Sequence, residues 1–304
     1  MKVQIVNIGL IVALSINFII SFFFISLFIS DFTLGIGITL IIFICAIGVL
    51  YTPFGDWWYR NIIFNLREPN ETEKKRIMPI YNEIYRRTLA IYPDLSKDIR
   101  LFIYDDDGVN AFAAGLRTVA IHRGLLVNNI YDNEIAAILG HEFAHIANGD
   151  TFCTILAFQS NVIVAVFRAV FSFLMVVAAK IVGFCVALAF DTAQGAENGF
   201  KITDACIRGL NWILDKFVLI FVVISVSIAQ YSRRQHELAA DDFAARLGYG
   251  QPMIYFFQRY GQLDGTSNVF SLSYLLHGTH PSMRTRISNL QNSVKKYRGD
   301  EMIN

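Results

Sequence analysis

The chain has 304 residues, 54 % of them hydrophobic and only 17 % charged, with a formal net charge of +1. A soluble domain carries about 25 % charged residues, so this composition and a mean hydropathy of +0.45 place much of the chain in a bilayer. A near-neutral charge with no basic aromatic patch argues against a nucleic-acid partner, and without a glycine-rich phosphate loop nothing supports a nucleotide.

Residues 3–30 contain no Lys, Arg, Asp or Glu, a run longer than the roughly 20 residues a membrane helix needs. Leu34–Leu50 is a second uncharged run, and only Ser30 to Thr33 separate the two, which predicts a tight transmembrane hairpin over 1–54. Trp57, Trp58 and Tyr59, followed by Arg60, read as an interfacial belt closing it. Residues 55–151 then read as helix, a small sheet and a further helix. Ile99–Tyr104 and Thr118–His122 alternate as strands do, Asp105–Gly108 is a turn, and Asn110, Ala111, Phe112 and Ala113 suit an edge strand able to pair with an extended peptide.

Residues 141–145 read His-Glu-Phe-Ala-His. On a helix His141 and His145 share one face, as two ligands of one Zn2+ must, and Glu142 stands beside them as a general base for the attacking water. Asp132 and Asn133 are the N-cap candidates, Ile135, Ile138, Leu139 and Ile146 form the apolar stripe, and Asn148-Gly149 is the stop. A catalytic zinc site takes three protein ligands. The third candidate lies in 233–246, a stretch of helix formers in which Glu237 and Asp241 are one turn apart. Glu237 suits the ligand role, and Asp241 suits the acceptor of a ligand histidine's second N–H. His236 and Asp242 point roughly 100° away from these two.

Between the two motifs runs a second apolar region, Phe152–Phe190, interrupted by Arg168 and Lys180, which snorkelling to an interface would accommodate. Trp212–Tyr231 follows as a last span ending on Arg233-Arg234, so 152–231 is expected to be a second membrane hairpin and 232–304 the second catalytic segment. Loop 191–211 has three acids against two bases, whereas Lys2, Arg60, Arg67, Arg233 and Arg234 flank the other ends. The positive-inside rule then places both termini and both halves of the zinc site in the cytoplasm, with four spans. Four cysteines without a Cys-x-x-Cys pair suggest neither a disulfide framework nor a thiolate zinc site.

Taken together, His-Glu-Phe-Ala-His-Ile-Ala-Asn-Gly-Asp (141–150) and Glu-Leu-Ala-Ala-Asp (237–241) resemble the HtpX branch of integral-membrane zinc metalloproteases, whose family also contains the CAAX prenyl endopeptidases. Asn110-Ala-Phe-Ala, Gly124-Leu-Leu and His280-Pro-Ser-Met-Arg-Thr-Arg-Ile fit in the same order, although Ser282 stands where a second Pro is common. The resemblance implies a mainly α, four-span membrane protein with a cytoplasmic zincin-like domain of helices and a small β-sheet, one Zn2+ per chain, and location in a bacterial-type inner membrane. It further implies cleavage of polypeptides, membrane proteins among them, in quality control under stress, with His280 assisting the oxyanion and His277 as runner-up. The alternatives are an intramembrane protease, disfavoured by the polar residues flanking the motif, a prenyl-protein-processing protease, and a non-catalytic metal-stabilised scaffold or chaperone, which has no use for Glu142.

Overall fold

The uncharged runs fold as helices, the structure that lets an apolar segment satisfy its own backbone. The computed structural model describes residues 8–50, 52–114, 117–189, 193–260 and 281–301. In chain order, α1 (Ile8–Ser26) and α2 (Phe32–Leu50) are followed by a short α3 (Pro53–Trp58), which a π-helical turn, Tyr59–Ile63, continues. Next come α4 (Glu71–Ile91), β1 (Arg100–Tyr104), β2 (Ala111–Ala114), β3 (Thr118–His122), α5 (Gly124–Val127) and α6 (Asp132–Asn148). Two long helices, α7 (Asp150–Ala189) and α8 (Ala193–Ala244), lead to α9 (Gly250–Tyr260) and α10 (Met283–Glu301). The chain divides into two units, one from Ile8–Ile47 with Leu156–Ala229, the other from Gly48–Ile155 with the residues from Gln230 onward.

The first unit is apolar. Asp31, the single acid of the tight connection, accepts the Leu34 N–H at 2.8 Å and so starts α2. Asn17 on α1 donates to Ser160 Oγ (2.7 Å) and Asn161 Oδ1 (2.8 Å) on α7, beside a small core of Ile20, Phe24 and Val164. Among the described residues two helices are long and apolar enough to cross a membrane, with windows Phe32–Val49 and Ile155–Val186, and Leu10–Ser26 is a shorter apolar helix.

One local expectation is corrected here. Residues 193–211 are not a loop but the first part of α8. The charges read as loop polarity are spaced for helical pairing, Glu197 with Lys201 (2.6 Å) and Asp204 with Arg208 (2.5 Å), both i,i+4. Arg168 forms an ion pair with Asp215 of α8.

The second unit holds the chemistry. Asn70 and Glu73 form a reciprocal capping box at the start of α4 (2.9 and 2.7 Å). That helix buries Ile77 and Ile84 and sets Tyr81 and Tyr85 against Phe143 of α6, with ring centroids 5.5 Å apart. The mixed sheet has the order β1-β3-β2, with β3 parallel to β1 and antiparallel to β2. This leaves β2 at an edge beside α6. Ile103, Ile121, Leu125, Ile135, Leu139 and Leu290 complete a core shared by sheet, α6 and α10. The N-cap of α6 is Tyr131, one residue before the expected Asp132 or Asn133; Glu134 folds back to accept the Tyr131 N–H at 3.1 Å. Asp132 is free of the capping role and instead accepts from Arg76.

Candidate metal centre

Two helices build the site, because each carries its polar residues one turn apart. α6 turns its apolar side, with Phe143, towards α4. Its Gly140 lies so close to α8 and the turn beyond it that an added Cβ would stand 3.2 Å from Leu247 Cδ1 and 3.6 Å from Ala244 Cα. That close approach brings His141 and His145 to the C-terminal part of α8, where Glu237 is 5 % exposed and Asp241 fully buried. His141 Nε2 and His145 Nε2 are 3.1 Å apart, and they stand 3.3 and 3.5 Å from the Glu237 carboxylate oxygens. Among the described residues this is the one group of three His, Cys, Asp or Glu side chains able to hold a metal ion.

The opposite ring nitrogens decide what that convergence means. His141 Nδ1 is 2.9 Å from Asp241 Oδ1, and His145 Nδ1 is 2.9 Å from Asp150 Oδ2. A carboxylate can only accept, so each Nδ1 carries the proton and each Nε2 presents its lone pair to the centre. Two lone pairs and a carboxylate facing one another in a buried pocket repel unless a proton or a cation lies among them. Ligand atoms on a tetrahedral zinc with bonds of 2.0–2.1 Å are about 3.3–3.4 Å apart, and the observed 3.1, 3.3 and 3.5 Å bracket that spacing. The donor set therefore fits zinc. Burial alone would lower the His141 imidazole, but hydrogen bonds and charge from Asp241 and Glu237 outweigh it and push it up to about 10.

Three supporting residues were not legible as such in the sequence. Asp150 closes the 141–150 motif; the left-handed Gly149 (φ 77°) ends α6 and turns the chain so that Asp150 meets His145. Asp150 also joins His236, whose Nδ1 is 2.6 Å from Asp150 Oδ1. His236 thus faces away from the ligand atoms yet still touches the support of one ligand. Asp242 is turned from the centre and accepts from Ser293 and Tyr297.

Arg286 of α10 is the third, 4 % exposed, donating to both oxygens of Asp241 (2.8 and 2.6 Å) with its guanidinium 4.3 Å from the Phe257 ring centroid. Burial opposes ionisation of Asp241, but Arg286 and His141 overcome it and keep the carboxyl below its usual range. Arg286 belongs to the same 280–287 segment as His280. His280 and His277 lie outside the described residues.

Glu142 is 8 % exposed and accepts the Ala113 N–H of β2 at 2.8 Å. Burial pushes its carboxyl above the usual carboxylate range, while His141 and His145 pull it back down. Asn110 accepts from His122 of β3 (2.9 Å), so in this antiparallel ladder Ala111 and Ala113 turn their backbone groups outward. The Ala111 N–H is taken by the Asn110 side chain (2.9 Å) and that of Ala113 by Glu142. Phe112 points into an aromatic cluster with Phe64 and Tyr104.

With this geometry in view, the profile of peptidase family M48 matches residues 94–294, which include every one of these supporting and candidate ligand residues. The chain belongs to peptidase family M48. A protease HtpX homolog of Bordetella avium is similar, with 32 % identity over 199 residues, 60 % of either chain. A protease HtpX of Haemophilus influenzae is 28 % identical over 237 residues, 73 % of this chain and 75 % of its own length. The chain thus spans about 60 % of the length of the first of these M48 relatives.

Two outcomes test the centre. Purified Glu237→Ala protein is expected to lose its metal, while His236→Ala retains it with an affinity weakened by at most about 10–100-fold; element analysis that finds the reverse would reassign the ligand. Because Asp241 and Glu237 raise the His141 imidazole above its usual range, a metal must compete with a proton there. Affinity measured by chelator competition should therefore rise with pH above neutrality. A flat profile would show that no proton is displaced.

Proposed function

We propose that this chain is a zinc-dependent endopeptidase anchored in a bacterial-type inner membrane by four helical spans. The observation that carries the reading is the buried meeting of His141, His145 and Glu237, with Glu142 beside them and hydrogen-bonded to the edge strand. Zinc held by those three residues supplies Lewis acidity towards a water and a peptide carbonyl.

The remaining work belongs to the chain. Asp241, held by Arg286, and Asp150 fix both imidazoles with Nε2 turned inward. Glu142, raised by burial yet tempered by two histidines, accepts the proton of the attacking water and passes it to the leaving amine. Its bond from the Ala113 N–H ties that proton transfer to the strand that an extended substrate engages. Asn110 to Ala113 pair with that substrate through backbone groups, which gives affinity with little demand on its sequence. His280 donates to the oxyanion. Both termini and both catalytic segments face the cytoplasm, so the substrates are cytoplasm-exposed segments of membrane or misfolded proteins, and the role is quality control.

Glu142→Gln protein is expected to keep its metal and its circular dichroism but to lose casein cleavage by about 10²–10⁴-fold; near-normal turnover would remove Glu142 from the mechanism. For orientation, membrane-impermeant thiol reagents applied to intact cells should label the exposed native Cys206 and leave untouched a cysteine placed at the exposed Asn292 in an otherwise cysteine-free chain. Equal labelling of both would overturn the four-span arrangement.

A further inference from the structure

The segment linking α2 to the catalytic unit has two unlike faces. Thr52 caps α3 by accepting the Gly55 N–H at 3.2 Å, and Pro53 opens the helix. Along its outer face Phe54 is 58 % exposed, Trp57 and Trp58 are each 43 %, and Ile62 is 53 %. Phe54 joins the other two rings, stacking on Trp57 (5.8 Å) and lying 6.1 Å from Trp58. Such a concentration of exposed aromatic surface marks an interaction site.

The inner face is firmly tied to the sheet. Tyr59 and Leu66 are buried, the Arg60 guanidinium lies 4.9 Å from the Phe102 ring centroid, and Phe64 meets Phe112 of β2 at 5.1 Å. Arg67 closes the segment with a two-way backbone bridge to Ile103 of β1 (3.0 and 2.8 Å).

We propose that Phe54, Trp57, Trp58 and Ile62 form a seat in the headgroup–acyl boundary of the bilayer, and that this seat sets the height of edge strand β2 above the membrane. The inference rests on the membrane reading above. Chain connectivity selects lipid over a protein partner. The apolar window of α2 ends at Val49, the Thr52 N–H turns back to the Val49 carbonyl at 3.0 Å, and α3 opens at Pro53. Phe54 thus follows directly on the end of the apolar window, where the polar interfacial layer, about 5–7 Å deep on each side, begins. Aromatic residues with one apolar and one polar side are the residues that settle there. Asp56 and Arg60 cancel, so the seat needs no anionic lipid. From the seat, Phe64 and Phe112 lead to the strand whose Ala113 N–H holds Glu142.

The chain has three tryptophans, so Trp212→Phe leaves Trp57 and Trp58 as the only reporters. Reconstituted in vesicles of brominated phosphatidylcholine, this full-length variant should lose more emission to bromines near the headgroup than to bromines deep in the acyl chain. Failure to float with the vesicles would overturn the membrane reading and the seat with it. Flotation without bromine quenching would overturn the seat alone, and quenching protection only at protein densities that promote self-association would assign the patch to a second copy. As an independent arm, Phe54→Ser, Trp57→Ser and Trp58→Ser combined should slow cleavage of a vesicle-embedded substrate while leaving a soluble peptide unaffected. Equal loss on both substrates, or on neither, would overturn the link between seat and strand.

Discussion

Three hydrogen-bond acceptors that face one another in a buried pocket are the constraint on which the catalytic unit depends. His141 Nε2, His145 Nε2 and Glu237 lie within 4.8 Å of one another, and their repulsion disappears only when positive charge enters. Nothing about α6 alone produces this. A lone imidazole pair on a helix takes up protons or water and tolerates either tautomer. It is the carboxylates behind the rings, Asp241 and Asp150, that hold both protons on Nδ1 and so commit both Nε2 atoms to a cation.

The same electrostatics explains the outer layer. Glu237, Asp241, Asp150 and Glu142 bring four carboxyl groups into a small buried volume, where uncompensated negative charge is costly. Arg286 offsets part of it by a two-point contact with Asp241 and is itself sandwiched against Phe257. A guanidinium suits this place because it is always charged and matches both carboxylate oxygens at once. Glu142 is handled differently. Its backbone donor, Ala113, belongs to the edge strand, so the group poised for proton transfer is held by the element that a substrate would engage.

Chain path matters as much as charge. Asp150 opens α7 and Glu237 lies near the end of α8, so the helices that lead away from the centre and back to it carry supporting and ligand residues at their inner ends. His236 and Asp150 join those two ends directly at 2.6 Å. The centre is thus closed by residues far apart in sequence.

Sequence alone determined the parts whose meaning is local. The four-residue spacing of His141 and His145 and that of Glu237 and Asp241 follow from helical period. The stop at Gly149 follows from backbone freedom in the left-handed region, and the apolar composition of 8–50 and 155–186 is a property of consecutive residues. The strands at 100–104 and 118–122 were also legible from alternation. Tertiary structure decided the rest, for a physical reason: local period tells which face a residue occupies but not which distant residue will meet it. Arg286 reaches Asp241 across 45 positions, and Ala113 reaches Glu142 across 29. The charged residues of 193–211 show the converse, since their net polarity suggested a loop while their i,i+4 spacing built a helix. Asp150 shows it most plainly. One residue after the helix stop it looks like a solvated turn acid, and only the fold, by laying that turn against His145 and His236, makes it the carboxylate that orients a metal ligand.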